Sequence, residues 1–234
     1  MRALLPLTHP SDPGDPVDLA AAYAVAPPGT RQIRVNFVAG ADGGGAVGGK
    51  SDPLSGAADK ELFRVLRGLA DVVLVGAGTV RGEGYGPVRR TGNGARPPLA
   101  IITSRPDLDP ASAIFTEAAS RTLLLTTAAA DSAAYGAVAE VVVCGQDRVD
   151  LAVALDALAD RGLTRVLCEG GPGVFAQLAG AGLVDELCLT LAPRLTGPGG
   201  PRIVTGAPWD AVVGLRLVGL LTDEDFLFCR YARA

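Results

Sequence analysis

Asp71–Tyr85, DVVLVGAGTVRGEGY, decides the fold together with a second stretch of the same kind, Arg165–Phe175, RVLCEGGPGVF. Each is an apolar run that ends in a glycine turn. Apolar runs without polar alternation are typical of strands buried on both faces of a parallel sheet. Glycine turns let backbone approach a ligand closely, and the N–H groups of a following helix attract phosphate. The two turns therefore predict one dinucleotide site, although glycines also end strands in α/β proteins that bind no nucleotide.

The composition indicates a single α/β domain. The chain has 234 residues, 48% of them hydrophobic and 20% charged, a length that suits one sizeable core. No apolar run approaches the ~20 residues of a membrane span, and the start MRALLPLTHP is too short for a secretory signal, so we expect a cytoplasmic protein without membrane contact. With a net charge of −4 and scattered arginines, nucleic acid is not expected as a partner.

Cysteine and histidine usage excludes several kinds of site. The chain contains one histidine, His9, and four cysteines that stand far apart. Buried free thiols explain the cysteines better than disulfides or zinc, so no metal site is expected. A single histidine also excludes a zinc deaminase motif, a Ser-His-Asp triad and a Cys-His dyad. The cysteines are Cys144, Cys168, Cys188 and Cys229.

The alternation of apolar patterns predicts an α/β fold in which a mainly parallel central sheet is flanked by helices and closed by an antiparallel C-terminal hairpin. Residues 1–30 carry six prolines and predict an extended or loosely docked arm before a domain at 31–234. The predicted helices are Ala57–Leu69, Val149–Ala159 with Gly162 as its C-terminal cap, and one that begins at Pro172. The predicted strands are Arg31–Ala39, Val72–Val75, Leu99–Thr103, Thr122–Thr126, Val141–Cys144, Val166–Cys168, Val184–Ala192, Gly214–Leu221 and Phe226–Tyr231.

A formal Walker A match occurs at Gly44–Ser51, GGAVGGKS. A P-loop requires a helix that begins at Lys50, whereas Pro53 and Gly56 fall within what would be its first two turns. We therefore expect an accidental match, and magnesium-dependent ATP binding through Lys50 is kept as an alternative.

The Rossmann fingerprint also fails, because no third glycine follows Gly78 at the required spacing and the acidic ribose ligand is missing. Arg96 and Arg105 lie in that direction instead. If a dinucleotide binds, these arginines favour the 2′-phosphate of NADP over NAD.

The order of five segments resembles the reductase domain of bacterial riboflavin biosynthesis, which has the dihydrofolate reductase fold. The segments are Val35–Gly43, Val75–Gly86, Ala100–Arg105, Leu167–Phe175 and Leu183–Gly197. They are similar to the stand-alone actinobacterial members, which lack the fused zinc deaminase domain. The resemblance implies NADPH-dependent reduction of 5-amino-6-(5-phosphoribosylamino)uracil to the ribitylamino product. Some stand-alone members are thought to reduce dihydrofolate instead or as well, and a non-catalytic binding domain on the same fold is a further alternative.

The resemblance also implies roles for individual residues. The implied cofactor-binding residues are Val38, Gly76, Gly78, Thr79, Glu83, Thr103, Ser104, Gly170, Gly171, Pro172, Gly173, Val174 and Phe175. The implied substrate-binding residues are Ser51, Arg67, Pro87, Arg90 and Glu169. Asp42 and Glu169 are the carboxyl groups expected to assist ring opening or to protonate the product. The chain departs from the family's usual pattern at Gly40-Ala41, Pro53 and Glu83.

Two of these expectations depend on local patterns. Arg67 shares a helix face with Lys60 and Arg64, which on base rates is a solvated face paired with nearby acids, so only the resemblance makes it a phosphate ligand. If Arg67 binds the phosphate, its replacement by alanine should weaken substrate binding by roughly 2–4 kcal/mol and leave folding nearly unchanged. Val184–Ala192 is long and apolar, and an exposed edge of that kind usually pairs, which predicts a homodimer.

Overall fold

The computed structural model describes residues 1–5, 17–89, 91, 94 and 96–234. These residues form six α-helices and ten strands. The strands are β1 Arg2–Leu5, β2 Gln32–Gly40, β3 Val72–Gly76, β4 Leu99–Ile102, β5 Thr122–Thr126, β6 Ala139–Val143, β7 Arg165–Cys168, β8 Glu186–Ala192, β9 Leu215–Asp223 and β10 Phe226–Arg233. The helices are α1 Leu19–Ala22, α2 Ala57–Leu69, α3 Ala77–Glu83, α4 Ala113–Thr116, α5 Leu151–Ala159 and α6 Pro172–Gly180.

All ten strands belong to one sheet, in the order β1-β9-β10-β8-β2-β7-β3-β4-β5-β6. The strands from β8 to β6 in this order run parallel to one another. β10 joins β8 antiparallel, β9 pairs with β10 as a hairpin, and β1 pairs antiparallel with β9. The predicted parallel sheet with an antiparallel C-terminal hairpin is confirmed.

Helix boundaries follow from their caps. The Asp150 side chain accepts hydrogen bonds from the backbone N–H groups of Ala152 and Val153, so α5 begins at Leu151 rather than at Val149 as predicted. Gly162 follows α5 with a φ of +76°, the left-handed conformation of a helix C-terminal cap. α2 buries Leu62 and Leu66 against the sheet, as its apolar face predicted.

Part of the predicted N-terminal arm packs onto the sheet. Leu19 and Tyr23 are buried in the apolar cluster beside α2. The Arg34 guanidinium donates to the Tyr23 carbonyl at 3.0 Å and forms a buried ion pair with Glu186 at 2.7 Å. The segment after residue 16 is therefore tied to β2 and β8. A domain boundary at residue 30 stays a prediction.

Two predictions about exposure have opposite outcomes. All four cysteines are free and buried, as expected from their apolar surroundings. The prediction that Val184–Ala192 forms an exposed edge is wrong, because β8 lies between β2 and β10 and both of its backbone edges are paired. Among the described helices, none has the length and apolar character needed to cross a bilayer.

Candidate active site

A cavity of about 890 Å³ opens at the carboxyl ends of β2, β3 and β7, between α2 and α3. Ligands of open parallel sheets collect at this end of the strands, because loops and helix N-termini diverge there. Val38, Gly76 and Glu169 come from the three strand ends, while Phe63 and Arg67 come from α2.

The two glycine turns meet at this cavity. The Gly76 N–H donates to the Gly170 carbonyl at 2.8 Å. A Cβ built on Gly171 would lie 2.6 Å from the Thr79 hydroxyl, and one on Gly76 would lie 3.0 Å from a methyl group of Val174. The turn after β3 and the turn after β7 therefore approach so closely that neither position tolerates a side chain without movement.

Beside these turns the backbone faces open space. A Cβ on Gly173 would meet no atom within 4 Å, although Gly173 lines the cavity. Gly171 caps the N-terminus of α6 with no side-chain hydrogen bond to that terminus. N–H groups at a helix start, next to room for a ligand, suit the pyrophosphate of a dinucleotide. The residues at this end of the cavity thus fit the cofactor that the sequence predicts.

A charged cluster lines the cavity next to the turn after β7. The Arg67 guanidinium binds Glu169 through two hydrogen bonds, Nε to Oε1 and Nη2 to Oε2, both 2.7 Å. Tyr85 donates its hydroxyl proton to Glu169 Oε2 and accepts from Arg67 Nη2 at 3.3 Å. The Arg67 guanidinium also stacks on the Phe63 ring, 4.2 Å from its centroid. The side chains of Arg67 and Glu169 are 16% and 2% exposed, so the interpretation of Arg67 as part of a solvated face is wrong.

Burial and charge set the protonation of this cluster. Desolvation raises the pKa of Tyr85 well above its ordinary value, and the neighbouring Glu169 carboxylate raises it further. Burial alone would lower the pKa of Arg67, but the carboxylate outweighs it and holds that pKa above its ordinary value. Tyr85 therefore remains a neutral hydrogen-bond donor and Arg67 remains a cation across the physiological pH range.

Asp42 is not among the residues that line the cavity. Its carboxylate accepts from the backbone N–H groups of Thr196 at 2.7 Å and Gly197 at 3.0 Å, and from the Thr196 hydroxyl. Desolvation would raise the pKa of Asp42, but these hydrogen bonds together hold it below its ordinary value. The observed contacts of Asp42 fasten the loop after β2 to the segment after β8.

The other predicted site residues divide into those that reach the cavity and those that do not. The cavity is lined by Val38, Ser51, Arg67, Gly76, Gly78, Thr79, Glu83, Pro87, Glu169, Gly171, Pro172 and Gly173. Five of the predicted cofactor-binding residues do not line the cavity: Thr103, Ser104, Gly170, Val174 and Phe175. Phe175 is buried and stacks on Phe37 with centroids 5.4 Å apart, and Thr103 Oγ1 accepts from the Arg105 N–H. Arg90 lies outside the described residues.

Several lining residues were missed by the sequence analysis. Asn36 of β2, Asp59 of α2 and Tyr85 after α3 all face the cavity. For α2 a signal was present, because Asp59, Phe63 and Arg67 follow each other at intervals of four and therefore share one helix face. Within the loop after β2, Ser51 donates its backbone N–H to Glu83 at 2.9 Å, which joins a predicted substrate residue to a predicted cofactor residue.

The Walker A alternative does not fit the structure. No helix begins at Lys50, since a 3-10 turn occupies Asp52–Leu54 and α2 begins only at Ala57. In the part of the chain that is described, no group of three or more histidine, cysteine or acidic side chains could hold a metal ion.

Comparison with known proteins identifies the family. A model of the RibD C-terminal domain matches residues 31–227. The chain belongs to the RibD C-terminal domain family. The RibD riboflavin biosynthesis protein of Bacillus amyloliquefaciens is 30% identical over 142 residues, which are 57% of this chain and 38% of that protein. The 2,5-diamino-6-ribosylamino-4(3H)-pyrimidinone 5′-phosphate reductase of Methanothermobacter thermautotrophicus is 30% identical over 161 residues, 67% of this chain and 74% of that protein.

Two solved structures share the architecture. A pyrimidine reductase-like protein of Corynebacterium diphtheriae is 28% identical, with a TM-score of 0.78 over 92% of this chain and 98% of that one. Dihydrofolate reductase of Enterococcus faecalis, solved with NADP(H), is 17% identical, with a TM-score of 0.53 over 88% of this chain and 97% of that one. The dihydrofolate reductase-like fold predicted from the sequence is confirmed.

Proposed function

We propose that the protein reduces a 5-amino-6-(5-phosphoribosylamino)pyrimidine with NADPH, in the riboflavin pathway. One observation carries this proposal. The turn at Gly76 and the turn at Gly170 contact each other at a single cavity, and the Arg67–Glu169 ion pair lines that same cavity. The sequence resemblance names the uracil form of the substrate, and the archaeal relative is named for the 2-amino form. The chain matches 38% of the Bacillus protein and 74% of the archaeal reductase, so the proposal is confined to the reductase step.

The dinucleotide would lie along the starts of α3 and α6. Gly173 leaves room beside its backbone, and its N–H group in the first turn of α6 would contact the pyrophosphate, since Pro172 has no N–H and the Val174 N–H donates to the Gly171 carbonyl. Arg105 follows β4, the strand next to β3, and we expect it to favour a 2′-phosphate. When bound, NADPH supplies a hydride to C1′ of the opened ribosylamine.

Glu169 is the group we assign to proton transfer. Its carboxylate would accept the amine proton as the C1′–O4′ bond breaks and deliver that proton to O4′, which leaves a C1′=N double bond. After hydride addition at C1′, the nitrogen takes a proton from solvent, so atoms and charges balance. Arg67 and Tyr85 orient the carboxylate. Asp42, the second predicted catalytic carboxyl group, would position the loop after β2 rather than act on the reacting atoms.

The substrate phosphate needs a cation at the open end of the cavity. The Arg67 fork is already bound to Glu169, so a direct role for it as a phosphate ligand stays a prediction. Arg89 is exposed and lines the same cavity. We assign the phosphate to Arg89, with Arg90 as a predicted neighbour.

We also propose a homodimer in the cytoplasm. The face formed by β9 and the segment before it exposes Val212 at 95%, together with Trp209, Leu215 and Leu217. Apolar surface of this kind is typical of an interface. Four free buried thiols suit a reducing compartment.

NADPH oxidation in the presence of the phosphoribosylamino substrate tests the activity. The expected result is substrate-dependent loss of NADPH absorbance, with slower turnover on NADH. NADPH fluorescence should change on addition of protein, while ATP with magnesium should leave the protein unaffected. Absence of NADPH binding would reject the proposal, and ATP binding without NADPH binding would revive the Walker A alternative.

A further inference from the structure

We propose that Asn36 binds the 5-amino group of the pyrimidine, beside Glu169 at the neighbouring C6 amine, so that the site is specific for a ring with two adjacent amino substituents. This inference rests on the proposed function and specifies its substrate class. It concerns a polar side chain of the cavity that hydride and proton transfer do not use.

Asn36 carries an unsatisfied polar atom at the cavity. The residue lies in β2, lines the cavity and is half-buried. Its Oδ1 is fully buried, and no donor in the described part of the chain reaches it. Buried side-chain oxygens almost always have a hydrogen-bond partner, and one without a partner weakens the fold. The Cβ–Cγ torsion of asparagine has a broad energy profile, so the amide can turn this oxygen to a ligand that supplies the missing donor.

Asn36 and Glu169 lie on the face of the sheet that α2 covers. Side chains two residues apart in a strand share a face. Val38, two residues after Asn36, belongs to the apolar cluster beneath α2, and so does Leu167. Leu167 precedes Glu169 by two residues, and the Glu169 carboxylate pairs with Arg67 of α2. The amide and the carboxylate therefore share one side of the sheet.

The parallel register brings the two side chains level with each other. Val35 lies opposite Cys168, and the next residues along the two chains are Asn36 and Glu169. Neighbouring strands are about 4.8 Å apart, so the amide and the carboxylate meet a bound molecule from adjacent positions. On the other side of Asn36, β8 presents Cys188, whose buried thiol is only a weak donor.

The proposed substrate carries two donors with this arrangement. Its C5 amino group and its C6 ribosylamino nitrogen are attached to adjacent ring carbons, and each offers an N–H group. The Gly76 turn assigned to the cofactor follows β3, on the other side of β7 from β2. With the C6 amine at Glu169 and the cofactor on the β3 side, the C5 amino group is directed to β2 and to Asn36.

A dihydropterin offers no such pair of donors. In dihydrofolate the atom attached to the corresponding ring carbon is N5, which carries a lone pair and no proton. Two acceptors would then face each other at Asn36, and sites built to pair with a donor discriminate strongly against a ligand that lacks it. Asn36 therefore favours the 5,6-diaminopyrimidine skeleton over a pterin.

The test varies the C5 substituent and Asn36 together. We would measure kcat/KM at saturating NADPH for 5-amino-6-(5-phosphoribosylamino)uracil and for its analogue with hydrogen at C5. Wild-type protein should favour the amino substrate by at least about tenfold, the equivalent of one hydrogen bond. Asn36→Leu, which removes the acceptor, should lower kcat/KM for the amino substrate at least about tenfold and for the analogue less than about threefold. The double comparison cancels the effect of the amino group on the reactivity of the ring itself.

Binding and folding controls accompany the kinetics. Inhibition by 5,6-diaminouracil and by 6-aminouracil gives the same comparison without turnover, and the wild type should bind the diamino base about tenfold more tightly. Thr190→Val is the matched control, because the Thr190 hydroxyl is also buried without a partner in the described part of the chain but lies in β8 and does not line the cavity. It should leave both substrates unaffected. NADPH affinity and the urea midpoint report whether Asn36→Leu has folded.

Each outcome has a distinct meaning. An equal loss of both substrates in Asn36→Leu, or an unchanged preference for the amino substrate, overturns the role of Asn36 and leaves the proposed function intact. If that variant does not fold, equal inhibition of the wild type by the two bases overturns the role, and stronger inhibition by 5,6-diaminouracil supports it. No reduction of either substrate overturns the proposed function itself. Reduction of dihydrofolate alone would overturn the specificity for two adjacent amino groups.

Discussion

Replacement of Arg67 by alanine should destabilise the folded protein, in contrast to the sequence-based expectation that folding would be nearly unchanged. The Glu169 side chain is 2% exposed in the folded protein. It would lose two charge-assisted hydrogen bonds of 2.7 Å and retain the one from Tyr85. Removal of one partner from a buried ion pair costs about 3–5 kcal/mol, because the remaining charge is left uncompensated.

The assay is urea unfolding at neutral pH, with circular dichroism as the probe of folding. For a chain of this length each kcal/mol shifts the midpoint temperature by roughly 2–4 °C, so a thermal scan should show a drop of about 6–20 °C. Arg81→Ala is the matched control, since Arg81 pairs with Asp107 where both side chains are about half exposed, and it should cost less than about 1 kcal/mol.

A rescue variant separates the charge from the packing. Glu169→Gln in the Arg67→Ala background removes the buried charge while it keeps the volume, and it should recover part of the lost stability. If Arg67→Ala costs no more than Arg81→Ala, the ion pair has no structural role and the reasoning from burial is refuted.

Three further predictions follow from other parts of the fold. Gly173→Ala should weaken NADPH binding about tenfold or more in a fluorescence titration with an unchanged urea midpoint, because its Cβ enters the cavity without meeting protein atoms; equal affinity would place the cofactor elsewhere. Asp71, bound to Arg165, has a pKa below its ordinary 3.8, so the pair stabilises the fold above that pH and loses this contribution as the pH falls through the lowered value. Wild type should therefore exceed Asp71→Asn by about 1–2 kcal/mol at neutral pH and converge with it in acid, and a pH-independent difference contradicts the linkage. Leu217→Asp should convert the proposed dimer to a monomer in light scattering, whereas an unaltered mass would exclude that face.

Features of the fold that depend on local composition were predictable from the sequence. Val72–Val75 is apolar at every position. A strand that is buried on both faces of a parallel sheet requires only such a continuous apolar run. The glycine turns were found for the same reason, since the close approach of Gly171 to Thr79 excludes a side chain. Sheet order is not local, and β8 therefore looked like an edge although β10 covers it.

The charged contacts of the site were beyond the reach of the sequence patterns. Arg67 and Glu169 stand 102 residues apart, so nothing in the helix pattern around Arg67 indicates its partner. Asp42 is a similar case, because the Thr196 N–H that donates to it lies 154 residues later in the chain, and its catalytic role, which the resemblance implied, stays a prediction. The face of Asp59, Phe63 and Arg67 was readable, but which face meets a cavity depends on tertiary packing.

The central position of β2 has a consequence for synthesis on the ribosome. β2 is complete at Gly40, yet its two neighbours are β7, which begins at Arg165, and β8, which begins at Glu186. At about 5–20 residues per second, the emerging β2 waits several seconds or more before either partner exists. Its unpaired backbone N–H and C=O groups and its apolar side chains are open to chaperones or to other nascent chains during that interval. The speed of translation between β2 and β8 should therefore affect the yield of folded protein. It should have a larger effect on that yield than the stability of the completed sheet has.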